Sequence, residues 1–484
     1  MRAETARYGS ASGRWIISAT VLGSGIAFLD GTVVSVALPA IEEELGGGLS
    51  GLQWTVDAYL VTLGALLLLG GSLGDIYGRR KMFVLGLGGF AAASALCGLA
   101  PSIGALIAAR AIQGIAAALL TPGSLAIIQA SFAPEDRSRA IGAWSGLSGV
   151  STALGPFLGG YLVDAISWRW VFIINLPLAA AAILIAIRYV PETKDEEGSQ
   201  RPDAPGAVAA ALALGGVLYA LIEGPVRGWA DGQVLFAIVL GAIGTVTFFR
   251  VEMHSEHPML PLSVFRSRQF SGANVTTFVL YGALSGALLL LVPQLQTVMD
   301  YSALEAGAAL IPLTVLLLLL SPAAGRIAQR SGPRLPMTVG PLLAGLGLGL
   351  LILVKPGSGY ANSVLPGIMV FGLGMALTVA PLTAAVLAAV ESRRAGVASG
   401  VNNAVARIAS LLAIALLPLA AGLSNVGDDP ERFTEGFHRA MLISAALCFV
   451  GGANSWLTIR RLAPHAPHGA PAPDVPASLG RVDG

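Results

Sequence analysis

Hydrophobic and polar positions in this chain alternate on a long scale. Stretches of about twenty residues, mostly Leu, Ala, Val, Ile and Gly, are separated by short polar segments. A bilayer core about 30 Å thick takes roughly 20 apolar residues in a helix. Fourteen runs meet that length, at about 15–40, 52–73, 81–100, 104–130, 138–163, 169–190, 205–223, 233–250, 270–293, 303–325, 335–354, 363–388, 395–421 and 437–460. Ten-residue alternating strands are absent, which excludes a membrane β-barrel. The pattern therefore predicts an all-α membrane protein with fourteen transmembrane helices.

The polar segments organise these runs. PETKDEEGSQRPDAPG follows the sixth run and VEMHSEHPMLPLSVFRSRQ follows the eighth. They predict a six-helix bundle over 1–190, a linker with two inserted helices over 191–269, and a second six-helix bundle over 270–461. The remaining tail, 462–484, is rich in Pro and Ala, a composition that predicts disorder. The two bundles echo each other. GSLGDIYGRR follows the second run and GRIAQRSGPR follows the tenth. The fourth and twelfth runs each carry a proline, Pro122 and Pro381, and are followed by PEDRSR and ESRR. Parallel halves of this kind are a known transporter architecture.

Basic residues predict orientation. If the N-terminus is cytoplasmic and each run crosses once, 22 of the 29 Lys and Arg residues lie on the cytoplasmic side. Five lie opposite, and two, Arg110 and Arg407, fall within runs. This alternation predicts an even count, both termini in the cytoplasm and a multi-pass location in the cell membrane.

Composition agrees: 55% of residues are hydrophobic and 12% charged, against about 25% charged in soluble domains. The net charge of +1 gives no reason to expect a nucleic-acid partner. Cys97 and Cys448 lie far apart in apolar runs, so no disulfide framework is expected. The first run is longer than a signal-peptide core and is read as retained. The histidines are read as lying in loops or the tail, so no metal site is expected. GGSLG at 70–74 matches a nucleophile elbow only formally, since it ends a membrane helix; GGGLSG at 46–51 lacks a preceding strand. No Gly-Lys-Ser/Thr phosphate loop occurs. The chain is expected not to be an enzyme.

Chemistry concentrates in a few segments. In the first run, Asp30 is flanked by apolar residues in FLDGTVVSVALPAI. An unpaired carboxylate there tends to hold a proton; the alternative is permanent pairing with an arginine. In the fourth run, Arg110 and Gln113 share a face one turn apart. An arginine at the bilayer centre costs roughly 2.5 kcal/mol or more. It therefore faces a partner or a wet cavity, or it snorkels to the nearer helix end. Asp57 is a second carboxylate candidate, or an outer-vestibule residue. Asn402, Asn403 and Arg407 lie on the thirteenth run, where Arg407 is either buried or marks a helix start. Asp300, Glu305 and Glu223 are expected to be wet.

GSLGDIYGRRK resembles the signature loop of the major facilitator superfamily at Gly71, Leu73, Asp75, Gly78, Arg79 and Arg80, with Ile76 in place of a basic residue. The resemblance implies a cytoplasmic gating contact; a solvated basic loop is the plainer reading. GAWSGLSGVSTALGPFLGG resembles the superfamily's antiporter motif at Gly142, Gly155, Pro156, Gly159 and Gly160, with Ser151 in place of a glycine. Generic small-residue packing is the plainer reading there. The segment around Asp30 and the pattern at Arg110, Gln113 and Gly114 also resemble this superfamily. With fourteen runs, the chain resembles the fourteen-helix drug–proton antiporter family, of the multidrug efflux type. That resemblance implies a major facilitator fold of two six-helix bundles plus two inserted helices. It implies a proton-coupled antiporter exporting an organic small molecule, with Asp30, Arg110, Gln113 and Asp57 in proton or substrate coupling. Its partners would be the lipid bilayer, protons and the substrate. No cofactor beyond the proton gradient is expected, and the chain is expected to be a monomer. A facilitator or importer of a metabolite, or a transporter-like receptor, would share the fold.

Overall fold

The structure, a computed structural model, describes residues 6–194, 203–255, 262–390, 395–423 and 429–460. The 462–484 tail and the ESRR segment at 391–394 lie outside the described residues. The first half holds α1 (Ala11–Leu45), α2 (Gly48–Tyr77), α3 (Arg79–Gly98), α4 (Ile103–Ser131), α5 (Pro134–Ala165), α6 (Trp170–Ile173) and α7 (Asn175–Tyr189). Between the halves come α8 (Ala204–Arg227) and α9 (Gly232–His254). The second half holds α10 (Arg268–Pro293), α11 (Ala303–Ala309), α12 (Ile311–Ser331), α13 (Arg334–Leu350), α14 (Tyr360–Ala388), α15 (Ala395–Ala420) and α16 (Pro430–Thr458).

Helix is the state that apolar runs must take, because lipid offers the backbone no hydrogen bonds. The ends are capped from the sequence. Ser10, Ser102, Asp203, Asp231, Ser267, Ser302 and Asp429 each accept a backbone N–H at a helix start. Two expected runs are broken. The sixth is α6 and α7, where Pro177 has no N–H to bond back to Ile173; the tenth is α11 and α12, where Pro312 has none for Ala308. Among the described residues, twelve helices are long and apolar enough to cross a membrane, or thirteen if the bent α2 is one crossing. The long α5 is not among them.

Packing repeats between the halves. In the first, α2 packs on α4, α3 on α4 and α7, and α1 on α5 and α7. In the second, α12 packs on α14, α13 on α14 and α16, and α10 on α15 and α16. The correspondence follows the proline and loop repeats of the sequence. Lipid gives no hydrophobic drive between helices, so small residues set the approach. Gly114 lies against the Tyr59 carbonyl and Thr62 side chain, and Gly340 against Thr378. A side chain at either position would displace the neighbouring helix. The inserted pair sits outside, with α8 packed on α9, α2 and α15. Only 22% of the α9 span is buried, and Phe236, Val239, Ile243 and Val246 point outward. This is a surface for lipid.

The halves meet toward the face opposite the chain ends. Asp164 at the end of α5 accepts the Ala303 and Leu304 N–H groups of α11, at 3.1 and 2.7 Å. Gln296 Nε2 donates to the Val36 carbonyl at 2.9 Å, and Gln53 Nε2 to the Ile414 carbonyl at 2.7 Å. These contacts join the two halves at this face.

Candidate functional site

Deep in the first half, polar residues of four helices meet: Asp30 of α1, Ser94 of α3, Arg110 and Gln113 of α4, and Asn175 of α7. Asp30 is 0% exposed and Arg110 is 1% exposed. Arg110 Nη1 donates to Asp30 Oδ2 at 2.5 Å and to Gln113 Oε1 at 2.6 Å, and its Nε donates to the Thr55 carbonyl at 2.9 Å. Gln113 Nε2 donates to Asp30 Oδ1 at 2.9 Å and to Ser94 Oγ at 2.8 Å. Asn175 Nδ2 completes the ring, 3.2 Å from Asp30 Oδ1. The guanidinium carbon lies 4.4 Å from the Tyr59 ring centroid, a cation–π contact. Two readings of Asp30 were open from sequence, and the structure corrects the unpaired one: Asp30 is bonded on both oxygens. Arg110 does not snorkel; it turns inward.

Asp57 is different. It is 0% exposed, and neither carboxylate oxygen has a hydrogen-bond partner among the described residues. The outer-vestibule reading is corrected, since no water reaches it directly. Asp57 shares a stripe of α2 with Gln53, Trp54 and Val61, which pack toward α8 and α15.

Between the halves lies a cavity of about 500 Å³, walled mainly by α1, α2, α10 and α15. Arg110, Tyr59 and Thr32 reach it from the first half, and Tyr281, Asn403 and Arg407 from the second. Arg407 is half-buried in the wall and does not mark a helix start, because α15 begins twelve residues earlier at Ala395. Its Nε is enclosed with no hydrogen-bond partner among the described residues. Asn403 Nδ2 donates to the Ser399 carbonyl at 3.1 Å. A second cavity, of about 530 Å³, lies at the far face between α2, α8, α10 and α15. The buried polar ring does not touch it.

Comparison with known proteins places this arrangement. Residues 20–414 match the model of the Major Facilitator Superfamily. The chain belongs to that superfamily. It is a membrane transporter and not an enzyme. The chain is 38% identical over 410 residues to the multidrug resistance protein Stp of Mycobacterium tuberculosis, covering 84% of this chain and 76% of that protein. It is 32% identical over 418 residues to the tetracenomycin C resistance and export protein of Streptomyces glaucescens, covering 86% and 77%. It is 34% identical over 449 residues to a methylenomycin A resistance protein of Streptomyces coelicolor, covering 92% of each. Among solved structures, a bacterial homologue of the human lysosomal transporter Spinster, in an inward-facing and unoccupied conformation, gives a TM-score of 0.66 at 17% identity. That match covers 94% of this chain and 100% of the other. A likeness at that identity shows the fold alone.

The superfamily loop is built within one half. Gly78, at φ 115°, separates α2 from α3, a conformation that favours glycine. Asp75 pairs with Arg79 at 2.8 Å, one turn on. The Arg80 and Lys81 N–H groups both donate to Glu192, at 3.1 Å each. The Arg80 guanidinium donates to the Val190 carbonyl at 3.1 Å. Gly71 faces Pro122. The antiporter motif lies on α5. Gly155 and Gly159 fit against Thr32 and Val33 of α1, Gly160 fits against Ala303, and the Pro156 carbonyl meets Gly307. Gly142 faces open space.

Several residues escaped the sequence reading. Ser94, Thr55 and Asn175 belong to the Asp30 ring; Ser94 and Asn175 are lone polar residues in apolar runs, which was the available signal. Glu192 lay hidden in a charged linker. Glu223 is not wet: it is 8% exposed and accepts from Ser50 at 2.7 Å, Trp54 at 3.0 Å and Arg227 at 2.8 Å. Glu305 closes a capping box with Ser302. His438 sits inside α16, not in a loop, with a ring nitrogen 2.8 Å from the Val354 carbonyl.

Proposed function

We propose that the chain is a proton-coupled antiporter that exports a drug-like or other organic small molecule from the cell by alternating access. The observation that carries this reading is the double engagement of Arg110. The same guanidinium holds Asp30 and lines the central cavity. When Asp30 is charged, the pair is locked. A proton on Asp30 removes the ion pair and frees the guanidinium to turn toward the cavity. Asp57 is the second proton site: inside the protein a bare carboxylate is costly, and a proton is the partner that relieves it. The joined far face and the α5–α11 seam give the state open to the cytoplasm. The loop around Asp75 and Arg79 closes the other side in the alternate state, and the packed glycines of α5 hinge between them. In this account α5 is the fourteenth crossing, both ends lie in the cytoplasm, and one chain in the cell membrane suffices. Relatives named for drug resistance and export support the direction of transport.

The test uses purified protein in vesicles with an acidic interior. The named relatives suggest tetracenomycin C and methylenomycin A as probes. At least one should accumulate beyond protein-free vesicles, and a protonophore should abolish the excess. Uptake indifferent to the pH gradient for every compound would overturn the antiport reading.

A further inference from the structure

The central cavity carries a charge pattern that names a substrate class. Two arginines, Arg110 and Arg407, reach its wall, and among the described residues no Asp or Glu does. Arg110 is already neutralised by Asp30. Arg407 is not: among the described residues it has no ion pair or hydrogen bond, and its Nε is enclosed without a partner. Both nearby carboxylates are withdrawn from the cavity. Asp30 lies behind Arg110, and Asp57, one helical turn from Gln53, Trp54 and Val61, is not part of the cavity lining. A half-buried guanidinium without a counter-charge is costly, so an anion entering the cavity would supply the partner that Arg407 lacks among the described residues. The surrounding surface suits an amphipathic body. Phe28, Leu38, Leu60 and Leu288 are apolar, while Ser285, Ser410 and Tyr281 offer hydroxyls near Arg407. Ser285 and Ser410 bond each other at 2.8 Å across α10 and α15, which fixes that side of the wall.

We propose that the central cavity binds an amphipathic organic anion, with a planar carboxylate or similar oxyanion held by Arg407 and an apolar body held between α1, α2 and α10. The inference rests on the reading of this cavity as the substrate site of an exporter. A guanidinium matches a planar oxyanion with two parallel N–H donors, which an ammonium cannot do. A cationic drug would meet Arg407 with no counter-charge in the wall. The volume, about 500 Å³, is in the range of pockets that enclose drug-sized ligands.

The experiment is calorimetric titration of the purified full chain in detergent at neutral pH, with no gradient. The probes share one aromatic body: 2-naphthoate, 2-naphthamide and 2-naphthylmethylammonium. Naphthoate should bind about tenfold tighter or more than the other two, the size of one charge-assisted hydrogen bond. Arg407→Gln should erase that preference, and Arg407→Lys should keep part of it; a melting curve for each variant shows that it is folded. Ammonium binding as tight as carboxylate, no measurable naphthoate binding, or an undiminished preference in Arg407→Gln would each overturn the proposal. Proton coupling is read separately in vesicles. Its failure would leave this binding order untouched, and an ammonium preference here would leave antiport standing.

Discussion

The two halves repeat one packing scheme but treat the two arginines of the central cavity in opposite ways. In the first half both oxygens of Asp30 and the Nε and Nη1 of Arg110 have partners, and Gln113, Ser94 and Asn175 close the ring. In the second half Arg407 lies in the cavity wall, with no carboxylate beside it in that wall and an enclosed Nε without a partner among the described residues. The buried polar pairs described in that half are neutral, such as Asn402 with Asn274 at 3.1 Å and Thr277 at 2.6 Å. Within one repeated scaffold, the first half holds its cavity arginine in an ion pair and the second half leaves its own without one among the described residues.

The comparison is broken most severely at the pair. Arg110→Ala leaves Asp30 buried without its counter-charge and should lower stability by about 3–5 kcal/mol, read by thermal unfolding in detergent. The double variant Asp30→Asn with Arg110→Gln should recover most of that loss without restoring transport. A smaller effect is expected where the halves touch. Gly160→Val drives a side chain into Ala303 and should cost about 1–3 kcal/mol. It should also open the far face, visible as faster labelling of a cysteine placed at Gln296. Glu223→Gln weakens the clasp that holds α8 to α2. A loss of about 1 kcal/mol is expected, again by thermal unfolding. Arg407→Gln sits at the bottom of the scale. With no partner to lose, it should change stability by less than about 0.5 kcal/mol. A large loss there would show that the two halves treat charge alike.

Much of this was legible in the sequence, and the reasons differ by level. Helix positions were readable because lipid forces long apolar runs into helices. The breaks at Ile174 and Leu310 were not, because a proline near a run's start reads equally as a helix beginning. The polar residues Asp30, Arg110, Gln113, Asp57 and Arg407 stood out because each is costly in an apolar run. Their pairing did not. Asp30 and Arg110 are eighty residues apart, and nothing local distinguishes a paired carboxylate from the bare one at Asp57. Glu223 was misread for a related reason: a carboxylate at a helix end looks wet until α8 is seen to dock on Trp54 and Ser50. Helix α5 shows the same limit from the other side: its apolar run was legible, but not that its glycines are set for packing against α1 and α11.

The claim at the centre is that the Asp30–Arg110 pair exchanges a proton for substrate. The direct measurement is drug-driven pH change inside vesicles that carry a pH-sensitive dye, for the chain as it stands and for Asp30→Asn. The unchanged chain should move protons out of an acidic interior each time a transported compound is added. Asp30→Asn should still bind the compound and produce no pH change. A full drug-driven pH change in Asp30→Asn would contradict the account.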